Sequence, residues 1–131
     1  MKIIHTSGKR KRAIARATLK QGKGIVKINR INLDHYEPKL ARMKLREPLL
    51  LAGADGQKVN IDVVIRGGGS MSQAEAGRLA IARALVQYNK KLEEIFLKYD
   101  RHLLIADVRR KEASKPNRHG QARAKRQKSY R

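Results

Sequence analysis

The sequence predicts an α+β domain followed by a basic C-terminal tail, on three observations. Alternating apolar and polar residues predict strands in the first third of the chain and again at residues 58–66. Apolar residues at helical spacing predict helices between and after these strands. No Ile, Leu, Val, Met or Phe occurs after Val108, so the end of the chain lacks the apolar area that a core needs. We therefore expect a globular domain over residues 1–108 and a tail over 109–131, which alone in solution should be disordered.

The first strands are predicted near residues 10–20 and 24–29, after a possible brief strand at 3–7. Residues 10–20 contain alanines that also suit a helix, but apolar and polar positions alternate along much of this run. The sequence Gln-Gly-Lys-Gly at 21–24 signals a tight turn. Two such runs joined by a glycine-containing turn predict a hairpin.

Prolines and glycines delimit the next element. Pro38 suits the first turn of a helix. Pro48 predicts an interruption, because proline removes a helical hydrogen bond, so a second short piece should end at Gly53. The strict alternation of residues 58–66 then predicts a strand.

The last third of the domain is predicted to be mostly helical. Ser72-x-x-Glu75 has the pattern of a capping box at the start of a helix that runs to about Tyr88. Apolar residues from Leu92 to Tyr99 predict a second, short helix, and an apolar run at 103–106 suits an edge strand. Of the five aromatic residues, three lie in these helical patterns and are predicted to be core: Tyr88, Phe96 and Tyr99.

The charge of the chain predicts a polyanionic partner. The net charge is +21, of which +12 lies in residues 1–108 and +9 in residues 109–131. Such an excess favours binding to nucleic acid or to an anionic membrane surface. No apolar stretch exceeds four residues, so a membrane span is excluded, and the N-terminus has no apolar segment typical of a secretory signal. We expect a cytoplasmic protein.

Catalytic and metal chemistry are not indicated. The chain has no cysteine, and none of its four histidines stands at metal-ligand spacing from another ligand. No nucleophile motif or phosphate-binding lysine motif is present. We expect no enzyme activity, no cofactor and no metal.

Two segments are candidates for nucleic-acid contact. Lys9–Arg12 is a basic run whose positive charge continues along the predicted hairpin, although such a run can also be a merely solvated face. Gly67–Gly69 stands between a strand and a helix start, where backbone N–H groups can receive a phosphate. The same glycines could equally serve only a tight connection. Because aromatic residues are few, recognition should depend on backbone and shape rather than on base stacking.

Several motifs together resemble a known family. The segment Gly67-Gly68-Gly69-x-x-Ser72-Gln73, continued by the alanines and Arg83 of the next helix, looks like the signature of the family of the ninth protein of the small ribosomal subunit. Ser7–Lys11, Glu47–Gly53 and the closing Gln127–Arg131 are similar to the same family. The Ser-Tyr-Arg ending resembles archaeal and eukaryotic members, and the short middle resembles archaeal ones.

The resemblance implies a four-stranded mixed sheet with helices packed against it and a left-handed βαβ crossover, against the right-handed default. It also implies a structural constituent of the small ribosomal subunit that works in translation. The partners would be small-subunit (16S-type) rRNA in the head, neighbouring proteins of the head, and peptidyl-site tRNA, with no membrane. The tail would thread through RNA, and its end would contact the anticodon stem-loop of that tRNA.

Site residues are assigned by combining the basic segments with this resemblance. We expect rRNA contacts from residues of three regions: Lys9, Arg10, Lys11, Arg12, Arg16, Arg66, Gly67, Gly68, Gly69, Gln73, Arg109, Arg110, Lys111, Arg118, Arg123, Lys125 and Arg126. We expect tRNA contacts from Lys128, Ser129, Tyr130 and Arg131. Bacterial relatives place Lys where this chain has Tyr130, so stacking could replace a phosphate contact there. The chain also departs from close relatives at 117–120 and at Arg126, which leaves the path of 117–126 open.

Two other classes remain as alternatives. An RNA-processing protein is one, because a protein subunit of ribonuclease P shares a similar left-handed crossover. A general DNA compactor or cationic membrane binder is the other, because net charge alone would suit it.

Overall fold

The computed structural model describes residues 3–116 and 122. A five-stranded mixed sheet carries three α-helices, and the strand order is β1-β2-β5-β3-β4. β3 and β5 are parallel, and the other neighbouring strands are antiparallel. The strands are β1 (Ile4–Arg10), β2 (Ala13–Gln21), β3 (Val26–Ile28), β4 (Ile31–Asn32) and β5 (Val59–Arg66), and the helices are α1 (Lys39–Ala52), α2 (Ser70–Tyr88) and α3 (Leu92–Tyr99). Short 3₁₀ turns occupy 33–35, 53–57 and 101–103.

The core lies between one face of the sheet and α2. Alternate residues of β2 and β5 are buried, including Leu19 and Ile61. The central part of α2 is also buried and rich in alanine. Small side chains let this helix lie close to the sheet, and at Gly8 the approach is closest, because a Cβ there would overlap the carbonyl oxygen of Ala76. The other face of the sheet is left exposed along β2 and β5.

The predicted hairpin between residues 10–20 and 24–29 is wrong in its pairing, although both strands exist. β2 pairs with β1 and β5, while β3 pairs with β5 and β4. The glycine turn carries the chain past the start of β5, where the Gly22 amide donates to the Lys58 carbonyl and the Gly24 amide to the Val59 carbonyl. The edge of β2 that the predicted hairpin would have paired with β3 is instead paired with β5, which lies much later in the sequence.

The sheet has five strands, and the expected number of four is corrected. The additional strand, β4, pairs with β3 across a two-residue turn at Asn29 and Arg30. Both turn residues have positive φ, 50° and 69°, as in the turns that fit the twist of a hairpin. Asn29 is fixed further because its side chain exchanges two hydrogen bonds with the backbone of Ile65.

Three local predictions in the helical part are wrong. α1 continues through Pro48 as one helix to Ala52; the proline ring is buried in the core, and Gly53 ends the helix with a φ of 60°. No edge strand forms at 103–106, because this segment follows a 3₁₀ turn and makes no strand pairing. Tyr99 is 56% exposed and lies outside the core, whereas Phe96 is fully buried as predicted.

Candidate nucleic-acid interface

Three segments meet at one end of the sheet and enclose a groove of about 680 Å³. They are the β1–β2 turn, the loop before α2, and the chain that follows Val108. Five cationic side chains line the groove, against one acidic residue, Glu112. The cations are Lys11, Arg12, Arg109, Arg110 and Lys111. Such an excess of positive charge in a concave surface attracts a polyanion.

The β1–β2 turn places two of these cations at its tip. Arg10 pairs with Ala13, so only Lys11 and Arg12 form the turn. Lys11 has a φ of 53°, a conformation that is uncommon for a residue with a side chain. Both side chains are exposed and project from the end of the sheet into the wall of the groove.

The loop before α2 needs its first two glycines for contact with the protein itself. Gly67 and Gly68 have φ of 80° and 69°. A Cβ on Gly67 would lie 2.5 Å from the Arg12 carbonyl oxygen, and one on Gly68 would lie 3.0 Å from atoms of Ala13. The structure thus gives these two glycines the role of a tight connection.

Gly69 differs from its neighbours because it faces open space. A Cβ there would meet nothing within 4 Å. Gly69 is the N-cap residue of α2, and no side chain caps this end of the helix. Together with Ser72 it lines the groove. The first N–H groups of α2 thus lie beside the cations, where the helix dipole adds to the attraction for a phosphate.

The predicted capping box at Ser72 and Glu75 is wrong. Ser72 lies inside the first turn of α2, which begins at Ser70. The Glu75 carboxylate instead accepts from Arg10 Nε at 2.6 Å and from Lys44 Nζ at 3.0 Å. Gln73 also turns back toward the protein, donating from Nε2 to the Gly67 carbonyl at 3.0 Å. Its amide therefore supports the glycine loop.

Arg10 is enclosed by protein, unlike the other cations of the basic run. Its side chain is 12% exposed and lies between Glu75 and Asp107, with Nη1 3.1 Å from the Asp107 carboxylate. Lys9 faces the other way, on the exposed surface of β1. The basic run thus separates into one cation that binds other parts of the domain and three that are directed to solvent.

The exposed face of the sheet extends the positive surface. In the strand register, Lys9 and Arg66 both flank Ile14, and Arg16 lies one row further along, opposite Ser7 and Val64. With neighbouring strands about 4.8 Å apart and alternate residues about 6.8 Å apart, the backbones of the three cations are roughly 8–10 Å from one another. They form a triangle that adjoins the groove.

The two carboxylates that contact Arg10 are held in their charged form. Burial by itself raises the pKa of Glu75, but hydrogen bonds from Lys44 and Arg10 outweigh it and lower that pKa below its ordinary value. Hydrogen bonds from the side chain and backbone of Arg109, with the nearby charge of Arg10, hold the pKa of Asp107 far below its usual range. Both carboxylates therefore remain paired with cations at neutral pH.

The structure brings the residues predicted to contact rRNA between 9 and 16 and between 66 and 73, with Arg109, Arg110 and Lys111, to one end of the domain. The remaining predicted contacts lie outside the described residues: Arg118, Arg123, Lys125, Arg126, Lys128, Ser129, Tyr130 and Arg131. Sequence reasoning missed the carboxylates of Glu75 and Asp107. Asp107 could have been noticed as an isolated acidic residue at the border of the basic tail, but nothing in its spacing points to Arg10.

The part of the chain that the structure describes contains neither a candidate metal site nor a candidate membrane span. Within residues 3–116 and 122, no group of His, Asp or Glu side chains could hold a metal ion. Among the same residues, no helix is both long enough and apolar enough to cross a membrane.

Comparison with known proteins identifies the family. Residues 8–131 match the family described as ribosomal protein S9/S16. The chain belongs to this family. It is 49% identical to the small ribosomal subunit protein uS9 of Methanococcus maripaludis (strain C7 / ATCC BAA-1331) and 48% identical to that of Methanococcus vannielii, and both alignments cover 100% of each chain. The resemblance read from the sequence is thereby confirmed, including its archaeal character.

Family membership also answers the question of enzymatic activity. The family is one of ribosomal proteins and is not enzymatic, so the chain is a constituent of the small ribosomal subunit, as predicted. The alternative of an RNA-processing enzyme is set aside on this ground. The groove is then to be understood as a binding surface.

Proposed function

We propose that the groove and the adjoining face of the sheet bind the backbone of small-subunit rRNA in the head of the subunit. The single observation that supports this most strongly is the convergence of five cations with the uncapped start of α2 in one groove. Donors of this kind suit phosphate oxygens. The exposed lysines and arginines of the groove suit contacts with the RNA backbone, and its lining residues include no aromatic platform for bases.

The test is removal of charge from the groove, compared with equal removal elsewhere. The double substitution Lys11→Gln, Arg12→Gln takes two neighbouring cations from the β1–β2 turn. The matched control, Lys90→Gln with Lys91→Gln, takes two exposed neighbouring cations from the loop that follows the opposite end of α2. Binding to a small-subunit rRNA fragment is measured across a series of salt concentrations.

The groove variant should lose affinity and its salt dependence should become shallower. Each neutralised phosphate contributes about 0.7–0.9 to the slope of log K against log salt, so two lost contacts lower the slope by about 1.4–1.8. The control variant should change the slope much less. Equal losses in both variants would mean that the net charge, and not the groove, drives binding. Equal affinity of the unmodified protein for rRNA and bulk DNA at physiological salt would favour a general compactor.

We further propose that the C-terminal tail reaches the anticodon stem-loop of peptidyl-site tRNA, with Arg131 on a phosphate. The family resemblance of residues 127–131 supports this. Deleting these five residues should weaken peptidyl-site tRNA binding while the protein still assembles into the subunit. Unchanged tRNA affinity at several salt concentrations would refute the proposal. If the deletion has the expected effect, residues 1–108 act as the domain that anchors the protein in the subunit and residues 109–131 as the tail that reaches the tRNA.

The crossover that joins the parallel strands β3 and β5 through α1 is, we propose, left-handed. The support is again the family resemblance, since a right-handed connection is the general rule. An experimental structure of the small subunit that contains this protein would test the hand of the crossover and the position of the tail together.

A further inference from the structure

Asp107 lies at the beginning of the C-terminal segment and holds it through contacts with two arginines. Its side chain is 14% exposed, although it lies among exposed residues. The carboxylate is 3.1 Å from Arg10 Nη1 and 2.7 Å from Arg109 Nη2, and it also accepts from the Arg109 backbone amide at 2.9 Å. After Leu103 the described residues form no helix or strand. Beyond the backbone hydrogen bonds of Leu104 and Ile105 to Arg101, this segment is held by side-chain contacts.

The contacts of Asp107 continue into the domain. Arg10, from β1, is hydrogen-bonded to Glu75 of α2 and lies in ion-pair contact with Asp107, to which its Nη1 makes no hydrogen bond. Glu75 also binds Lys44 of α1. A separate contact comes from Arg83 of α2, which donates to the carbonyl oxygens of Leu104 at 3.1 Å and of Ser7 at 2.9 Å. The chain is thus attached directly to β1 and α2, and through Glu75 indirectly to α1, just before the cations at 109–111 begin.

We propose that Asp107, held by Arg10, is a positioning residue that fixes the direction in which the C-terminal segment leaves the domain. This inference rests on the proposed rRNA binding by the groove. Arg109, Arg110 and Lys111 follow Asp107 closely in the chain and line the groove together with Gly69 and Ser72, so the direction of the chain at Asp107 decides whether they reach it. A segment that is already in place loses less conformational entropy on binding.

The positioning role predicts an effect opposite in sign to that of charge alone. In a chain of net charge +21, neutralising any acidic residue should strengthen binding to a polyanion. If Asp107 positions the segment, the substitution Asp107→Asn should weaken binding, since the segment loses its charged link to Arg10, which then keeps Glu75 as a partner. The matched control is Glu94→Gln, which changes the net charge equally at an exposed position of α3, outside the groove and the exposed face of the sheet.

The first measurement is the affinity of full-length variants for a small-subunit rRNA fragment. Asp107→Asn should bind about fivefold or more weakly, the factor that corresponds to the ordering of roughly one additional residue. Glu94→Gln should bind as tightly as the unmodified protein or more tightly. Binding of Asp107→Asn that equals that of Glu94→Gln would overturn the positioning role.

The second measurement needs no RNA, so it separates this inference from the proposed function. The chain has no cysteine, and spin labels can be attached to Lys90→Cys and Ala113→Cys. These sites lie near opposite ends of α2, which has 19 residues and a length of about 28 Å. The distribution of label distances should be narrow in the unmodified background and in Glu94→Gln, but broad in Asp107→Asn.

A control for folding completes the design. Asn has nearly the shape of Asp, and circular dichroism should show an unchanged helical content in Asp107→Asn. If this variant does not fold, Arg10→Lys replaces it, because Lys retains the charge but loses the planar, multidentate geometry of Arg. Arg10→Lys should also broaden the distances. A narrow distribution of label distances in the folded variant would refute the inference even if rRNA binding is confirmed. If the unmodified protein does not bind the rRNA fragment, only the proposed function is refuted.

Discussion

The substitution Gly8→Ala tests the close contact between β1 and α2. A Cβ at this position would overlap the carbonyl oxygen of Ala76 and lie 2.8 Å from the amide nitrogen of Ala80. Both obstacles are backbone atoms of one helix, so no side chain can rotate to make room. β1 and α2 would have to move apart by several tenths of an ångström or more along their contact.

The magnitude follows from two opposing effects. Forcing an extra group into a packed core costs typically 1–3 kcal/mol, and backbone obstacles place Gly8→Ala at the upper end of this range. Replacing glycine within a strand by alanine recovers roughly 0.5–1 kcal/mol of backbone entropy. We expect a net loss of about 2 kcal/mol in the free energy of unfolding. For a domain of this size the midpoint of thermal unfolding should fall by roughly 8–16 °C.

The assay is denaturant unfolding followed by circular dichroism, with Ser7→Ala as the control. Ser7 is the adjacent residue on the exposed face of β1, so its substitution should change stability by less than about 0.5 kcal/mol. An unfolding free energy of Gly8→Ala within the same 0.5 kcal/mol of the unmodified protein would refute the close contact of strand and helix. The slope of the transition should be unchanged, since both variants expose similar surface on unfolding.

Two further predictions concern ion pairs. The pKa values of Glu75, Asp100 and Asp107 are lowered by their partners, so the stability these carboxylates contribute is complete above the ordinary carboxyl pKa of about 4 and is lost as the pH falls through the lower folded values. The midpoint of thermal unfolding should therefore be constant from pH 7 to 5 and decline below pH 4. A midpoint that stays unchanged down to pH 2 would contradict the pairing. Arg78 is 8% exposed and joins Glu47 at 3.0 Å to Asp100 at 2.8 Å. Arg78→Ala should lower the free energy of unfolding by roughly 2–3 kcal/mol, less than for a fully buried pair because both carboxylates reach solvent. A loss below 0.5 kcal/mol in urea unfolding would show that stability does not depend on this link.

Strand positions could be predicted from the sequence because they depend on local alternation, whereas strand pairing could not. The turn at residues 21–24 has the composition of a hairpin turn, and only the later strand β5 reveals that β2 and β3 stand on either side of it. The same limit applies to Asn29, whose side chain finds its partner at Ile65. Contacts between residues far apart in the sequence leave no periodic signal.

The cations of the site could be located from the sequence, but their roles could not be separated. Lys9 and Arg10 are neighbours in one basic run, and strand alternation directs them to opposite faces. Which face meets α2 depends on packing, and the acidic partners come from Glu75 and Asp107, about 65 and 97 residues later in the chain. Pro48 shows the same principle in the helical part, since burial of its ring against the core outweighs the local preference for a break.

The position of β5 within the sheet has a consequence for the order of events during synthesis. β5 is the third strand across the sheet but the last to be made, and both β2 and β3 depend on it for hydrogen bonds. As the chain emerges from N-terminus to C-terminus, β1 and β2 can form their hairpin at once. β3 and β4 can pair only with each other until Arg66 has left the exit tunnel. The nascent chain therefore carries two separate strand pairs, and the arrival of β5 joins them into one sheet.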